Sequence, residues 1–124
     1  MPYVQGFMVP VPTAKRDAYA KMAADAWGMF KDYGALAVLE AWGEDVPRGE
    51  VTDFYRGVNA TEEESVVFSY MIWPSRQVCD EAAKKMQSEM SMPEGMELPF
   101  DGMRMVWGGF DPILTLGKTC GAGS

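Results

Sequence analysis

Histidine is missing from all 124 residues of the chain. That removes the commonest general base, the commonest transition-metal ligand and the ordinary haem axial ligand. Imidazole-based metal sites and Ser-His or Cys-His nucleophile pairs go with it. Proton transfer is left to carboxylates, tyrosines and lysines, and anion binding to arginine. Cysteine is nearly as scarce, with Cys79 and Cys120 alone and no CxxC or metal-ligand spacing. Neither a metal nor a cofactor is expected. In a reducing compartment the two read as free thiols, Cys79 packed on a helix and Cys120 mobile in a Gly-rich tail.

Basic charge is also short. Eleven Lys and Arg face 18 Asp and Glu, for a formal charge of -7. Nucleic-acid affinity comes largely from clustered cations, so no nucleic-acid partner is expected. The doublets Lys15-Arg16 and Lys84-Lys85 are diluted by acids and read as solvated helix faces. No apolar run approaches the ~20 residues that span a bilayer. The opening "MPYVQGFMVPVP" has no basic segment and is punctuated by prolines, unlike a signal peptide. A cytoplasmic protein without a membrane partner is the default.

What is present has clear periodicity. The length suits a single domain, expected over residues 1–116 with a flexible tail at 117–124. Residues 3–11 alternate Tyr3, Phe7, Val9 and Val11 against Val4 and Met8, as a strand does, and Pro10 and Pro12 put its end at an edge or bend. Thr13 is the expected cap of a helix striped by Tyr19, Met22, Ala23, Ala26, Phe30 and Tyr33. Gly34 should end it in a left-handed conformation. "ALAVLEAW" (35–42) and "SVVFSYMIW" (65–73) read as strands. Ser75 opens a second helix striped by Val78, Ala82 and Met86, and "MRMVWGGF" (103–110) is the fourth strand. Residues 52–58 could extend a neighbouring strand. Gly108-Gly109 lacks the strand-to-helix context of a dinucleotide fingerprint and marks a bulge or a close backbone approach.

The order β-α-β-β-α-β is that of an α+β, ferredoxin-like protomer with a four-stranded antiparallel sheet. Two helices cover one face of such a sheet, and the other should be polar if it meets water. Yet Val66, Phe68, Tyr70 and Ile72 lie on one face of the third strand, and Val67, Met71 and Trp73 on the other. Wetting several such side chains costs on the order of 2 kcal/mol each. A second copy of the chain, packed sheet to sheet as a homodimeric α/β barrel, would cover them.

Four blocks, "YVQGFMVPVP", "ALAVLEAWGEDVPRGEVTDF", "VVFSYMIWPS" and "PFDGMRMVWGGF", resemble in that order the YbaA-like family, a domain of unknown function (DUF1428). The resemblance runs from about Tyr3 to Leu114. It implies a dimeric α/β barrel of ferredoxin-like protomers and no established activity.

Candidate chemistry is thin. Glu40 shares its strand face with Leu36, Val38 and Trp42, so it is a rim residue, half of a salt bridge, or a carboxyl of raised pKa lining a cavity. Arg104 is expected on a strand face with Val106 and Phe110. As a catalytic pair, Glu40 would be the base and Arg104 the anion holder. An aromatic ligand cavity would be lined by Trp42, Phe68, Tyr70 and Trp107. In the long excursion 43–64, Gly43, Pro47 and Gly49 make a turn among compensating charges. Asp53 and Arg56 are retained as ligand-binding candidates because loops at sheet ends often carry sites, and the excursion could instead wrap a neighbouring subunit. Met90, Met92 and Met96 could form a thioether set, but core filler is the simpler account. Three functions follow: a small-molecule binding dimer; a cofactor-independent monooxygenase or isomerase, on fold analogy; or a purely structural role.

Overall fold

The computed structural model describes residues 2–89 and 99–117. The Met90, Met92 and Met96 group, Cys120 and the tail from residue 118 onward lie outside them. Strand β1 (Tyr3–Pro12) leads through a 3-10 turn (Thr13–Lys15) into α1 (Arg16–Asp32). Then come β2 (Ala37–Trp42), the short helix α2 (Phe54–Gly57), β3 (Glu64–Trp73), α3 (Arg76–Glu89), a second 3-10 turn (Gly102–Arg104) and β4 (Val106–Phe110).

The four strands form one sheet in the order β2-β3-β1-β4, every neighbouring pair antiparallel. This is the α+β, ferredoxin-like arrangement. Pairing of Phe7 with Ser69 and Trp107, and of Glu40 with Ser69, fixes which side chains share a face. The helix-covered face carries Tyr3, Phe7, Val9 and Val11 of β1, and Val67, Ser69, Met71 and Trp73 of β3. Val38, Glu40 and Trp42 of β2 and Trp107 of β4 join them. Alternation within each strand makes this inevitable once the register is set.

The core lies between this face and the two long helices. Trp73, Met71, Ala35, Cys79 and Ala82 form one buried cluster, flanked by Trp27, Phe30, Tyr33 and Val78. Val9, Val11, Val67 and Tyr19 form a second, flanked by Met22, Phe100 and Met105. Trp73 is fully buried, and its indole N–H donates to Gln5 Oε1 at 2.9 Å, so its one polar atom is satisfied. The sequence stripes of α1 and α3 point into these clusters as their spacing requires.

Local signals mostly act as expected. Gly34 has φ +109°, and a Cβ there would stand 2.7 Å from Val78 Cγ1. Ser75 Oγ accepts from the Val78 N–H at 3.2 Å and caps α3. Thr13 differs: it begins a 3-10 turn without a side-chain cap, and its hydroxyl bonds instead to that of Ser65 at 2.8 Å. Gly109 is a close approach, since the Tyr3 hydroxyl fills the place a side chain would take.

Two expectations need correction. Residues 52–58 do not extend a strand. Asp53 caps α2, and the segment folds onto the face of the sheet that the long helices leave open. There Phe54 meets Phe68 edge to face at 6.4 Å, Gly57 closes on the Met8 methyl, and Val58, Val66 and Pro10 are buried. So the chain itself roofs one end of that face. The remainder stays apolar and open: Phe68 is 50% exposed, Val106 44% and Phe110 59%. Second, β4 begins at Val106, so Arg104 belongs to the preceding turn and not to a strand face.

Candidate functional site

Glu40 is on the strand face predicted for it, and its surroundings are specific. β2 is an edge strand lying under α1, and from α1 the Tyr19 hydroxyl donates to Glu40 Oε1 at 2.7 Å. Ser69, opposite Glu40 on β3, is buried and gives the carboxyl a second hydrogen bond. Much of the Glu40 surface still meets solvent, yet its carboxyl is tucked between helix and sheet. Desolvation raises its pKa above the ordinary carboxylate value, and the Tyr19 and Ser69 hydrogen bonds only partly offset that. Burial and the adjoining carboxyl push the Tyr19 hydroxyl far upward, so it remains a donor at any working pH.

Glu40 ends an open groove of about 460 Å3 between α1 and β2. Ala20, Ala23, Ala24 and Trp27 form its helix wall, and Leu36, Ala37 and Val38 its strand wall. Three alanines at this spacing lower one flank of α1, where larger side chains would fill the space. Among the described residues, no Lys or Arg pairs with Glu40. Trp42, the next residue on that face, lies under the Arg16 guanidinium, 5.7 Å from the ring centroid.

The other candidates are dispersed. Trp42 and Trp107 lie on the helix-covered face, at its two opposite edges. Phe68 and Tyr70 lie on the other face. Within one protomer the four cannot line one cavity. Asp53 is a structural cap: its carboxylate accepts from the Arg56 N–H at 2.8 Å and the Gly49 N–H at 3.2 Å, which holds its pKa down. Arg56 leans on the same carboxylate at 3.6 Å, and Arg48 stacks on Tyr55 at 4.0 Å. The loop that opens after β2 is therefore an ordered turn.

Arg104 has all three of its nitrogens engaged within the protein, as a structural tie rather than a substrate clamp. Its Nε donates to Asp101 Oδ2 at 2.9 Å, Nη1 to the Asn59 carbonyl at 2.8 Å and to Glu64 at 2.7 Å, and Nη2 to Glu64 at 2.6 Å. It ties the turn before β4 to the start of β3. Among the described residues, no group of three or more acidic or cysteine side chains gathers in a way that could hold a metal ion. None of their helices is long and apolar enough to cross a membrane.

An antiparallel four-stranded α+β sheet with a carboxyl-ended groove defines a class of small domain without defining a reaction. Comparison with known proteins narrows it: the chain belongs to the family described as "Protein of unknown function (DUF1428)", which it matches over residues 2–102. It is 52% identical over 115 residues to "Uncharacterized protein YbaA" of Escherichia coli strain K12, covering 92% of this chain and 98% of that protein. Proteins of the same description in Escherichia coli O157:H7 and Shigella flexneri match to the same extent.

Proposed function

We propose that this protein is a homodimeric α/β barrel that binds a small molecule, and that the ligand occupies the groove between α1 and β2. One observation carries the reading: a desolvated carboxyl, fixed by Tyr19 and without a cationic partner among the described residues, ends an apolar groove of about 460 Å3. Ligand sites are commonly of this size, mostly apolar with a few placed polar groups. The open part of the sheet face, with Phe68, Val106 and Phe110, supports the dimer as the scaffold. Phe68 and Tyr70 then belong to the subunit interface and not to the ligand. Mass spectrometry of the intact purified protein, under conditions that retain bound molecules, tests the reading. A copurified compound lost from Ala24→Phe, which fills the groove from an exposed position of α1, supports it. A compound retained in that variant contradicts it.

A cofactor-independent isomerase or monooxygenase is the second reading, favoured by the raised proton affinity of Glu40. A base with its pKa moved toward neutrality is better matched to proton abstraction than an ordinary carboxylate. Glu40 would act alone in that role, with Tyr19 holding it in place.

A further inference from the structure

The lining of the groove says what kind of molecule it would take. Among the described residues, Glu40 is the one charged side chain that lines it. Its Oε1 accepts from Tyr19, and the hydroxyl of Ser69 also bonds the carboxyl, yet no positive charge answers it among the described residues. α1 carries three cations and three acids, and Lys31, Asp17 and Asp32 stand near its two ends. Arg16 of α1 is held over the Trp42 ring, and Lys21 of α1 pairs with Asp25 at 3.1 Å. β3 presents only the Ser69 hydroxyl. Trp27 adds an indole to the helix wall, a ring type whose face attracts cations. Beyond the groove, the chain's formal charge of -7 raises the local concentration of cations and lowers that of anions.

We infer that the groove is a site for an organic cation: a primary amine or ammonium head carried on a short alkyl or aryl body. The head would donate to the Glu40 carboxylate while the body lies along Ala20, Ala23, Ala24 and Val38 beside Trp27. A neutral alcohol could make the same hydrogen bond but would leave the desolvated charge uncompensated. An anion would be repelled. The inference rests on the groove being the ligand site, and it adds the sign of the ligand's charge.

Three probes sharing one body separate the two claims: phenethylamine, 2-phenylethanol and phenylacetate, titrated into the full-length protein. The readouts are calorimetry and the NMR signals of the Trp27 indole N–H and the Glu40 side-chain carboxyl. Phenethylamine is expected to shift both signals, with binding weakened on the order of tenfold in Glu40→Gln and abolished in Ala24→Phe. Its affinity should also fall as pH is lowered through the Glu40 titration, because only the ionised carboxyl attracts the head. Alcohol or phenylacetate binding as tightly as the amine, or amine binding indifferent to Glu40→Gln, overturns the cation and leaves the groove standing. Failure of all three probes to perturb Trp27 at millimolar concentration overturns the cation, and a copurified compound retained in Ala24→Phe overturns the groove itself.

Discussion

Arg104 grips Glu64 with both arms of its guanidinium, at 2.7 and 2.6 Å, across 40 residues of chain. A fork-to-fork pair of this kind fixes orientation as well as distance. The Glu64 carboxyl is almost fully buried beneath it, and the pairing holds its pKa down at about 2.

Acid should therefore loosen this junction. Glu64 ionises at a lower pH folded than unfolded, so its contribution is complete above the ordinary value near 4.5 and is lost as pH falls through about 2. Glu64→Gln should flatten the acid-unfolding curve across that window. At neutral pH the same variant should melt on the order of 5 °C lower than the parent, measured by circular dichroism. Equal slopes for parent and variant would rule the junction out as a source of acid sensitivity.

Glu40 should behave oppositely. Its folded pKa is raised, so its share of stability is present below the ordinary carboxylate value and is lost as pH rises through the folded one. Glu40→Gln removes that cost and should leave the protein at least as stable as the parent at neutral pH. Tyr19→Phe takes away a donor from a carboxylate already short of them. It should raise the Glu40 midpoint further and cost about 1 kcal/mol. Carbon-13 NMR of the glutamate carboxyls across pH reads both effects; a Glu40 midpoint at the ordinary value contradicts the environment described for it.

The apolar face supplies a third test. Phe68 stands half exposed although Phe54 of α2 meets one edge of it, so Phe68→Glu places charge where a second sheet would pack. Sedimentation at micromolar concentration should give twice the 13.7 kDa chain mass for the parent and the single chain for the variant. A parent that sediments as a single chain refutes the dimer.

Gly34 provides the fourth. Its φ of +109° is unfavourable for any residue with a side chain, and Val78 occupies the space one would need. Gly34→Ala should cost on the order of 2 kcal/mol through backbone strain and the displaced Val78, read from urea unfolding. A loss smaller than a few tenths would mean that the turn relaxes freely.

Much of the framework could be read from spacing because spacing causes it. The α1 stripe, Gly34, the Ser75 cap and the two apolar faces of β3 are each fixed within a few residues of chain. What escaped depends on neighbours distant in sequence. Alternation tells which side chains of one strand share a face but not how strands align. Trp42 could not be separated from Phe68 until β2–β3 pairing put Trp42 beside Val67. α2 has four residues, too few to display a helical period, though Asp53 three residues before Arg56 carried the signal of a cap. The apolar run "MRMVWGGF" sets Arg104 on a strand face with Val106 and Phe110. The Asp101-Gly102 pair that starts a turn instead was visible, and the apolar pattern outweighed it. At the groove, Glu40 stood out as a carboxyl on an apolar face. Tyr19, 21 residues earlier, looked like one more stripe residue, and Ala20 and Ala24 carry significance only once β2 lies beside them.

β1 sits inside the sheet, between two partners that are made after it. β1 has β3 on one side and β4 on the other, and β4 ends at Phe110. On the ribosome, a nascent chain of sixty residues would hold that segment with both hydrogen-bonding edges unmatched and its valines in water. Only once Phe110 has emerged can it be sandwiched, which makes early emergence, rather than the finished molecule, the moment of greatest exposure to aggregation or to a chaperone.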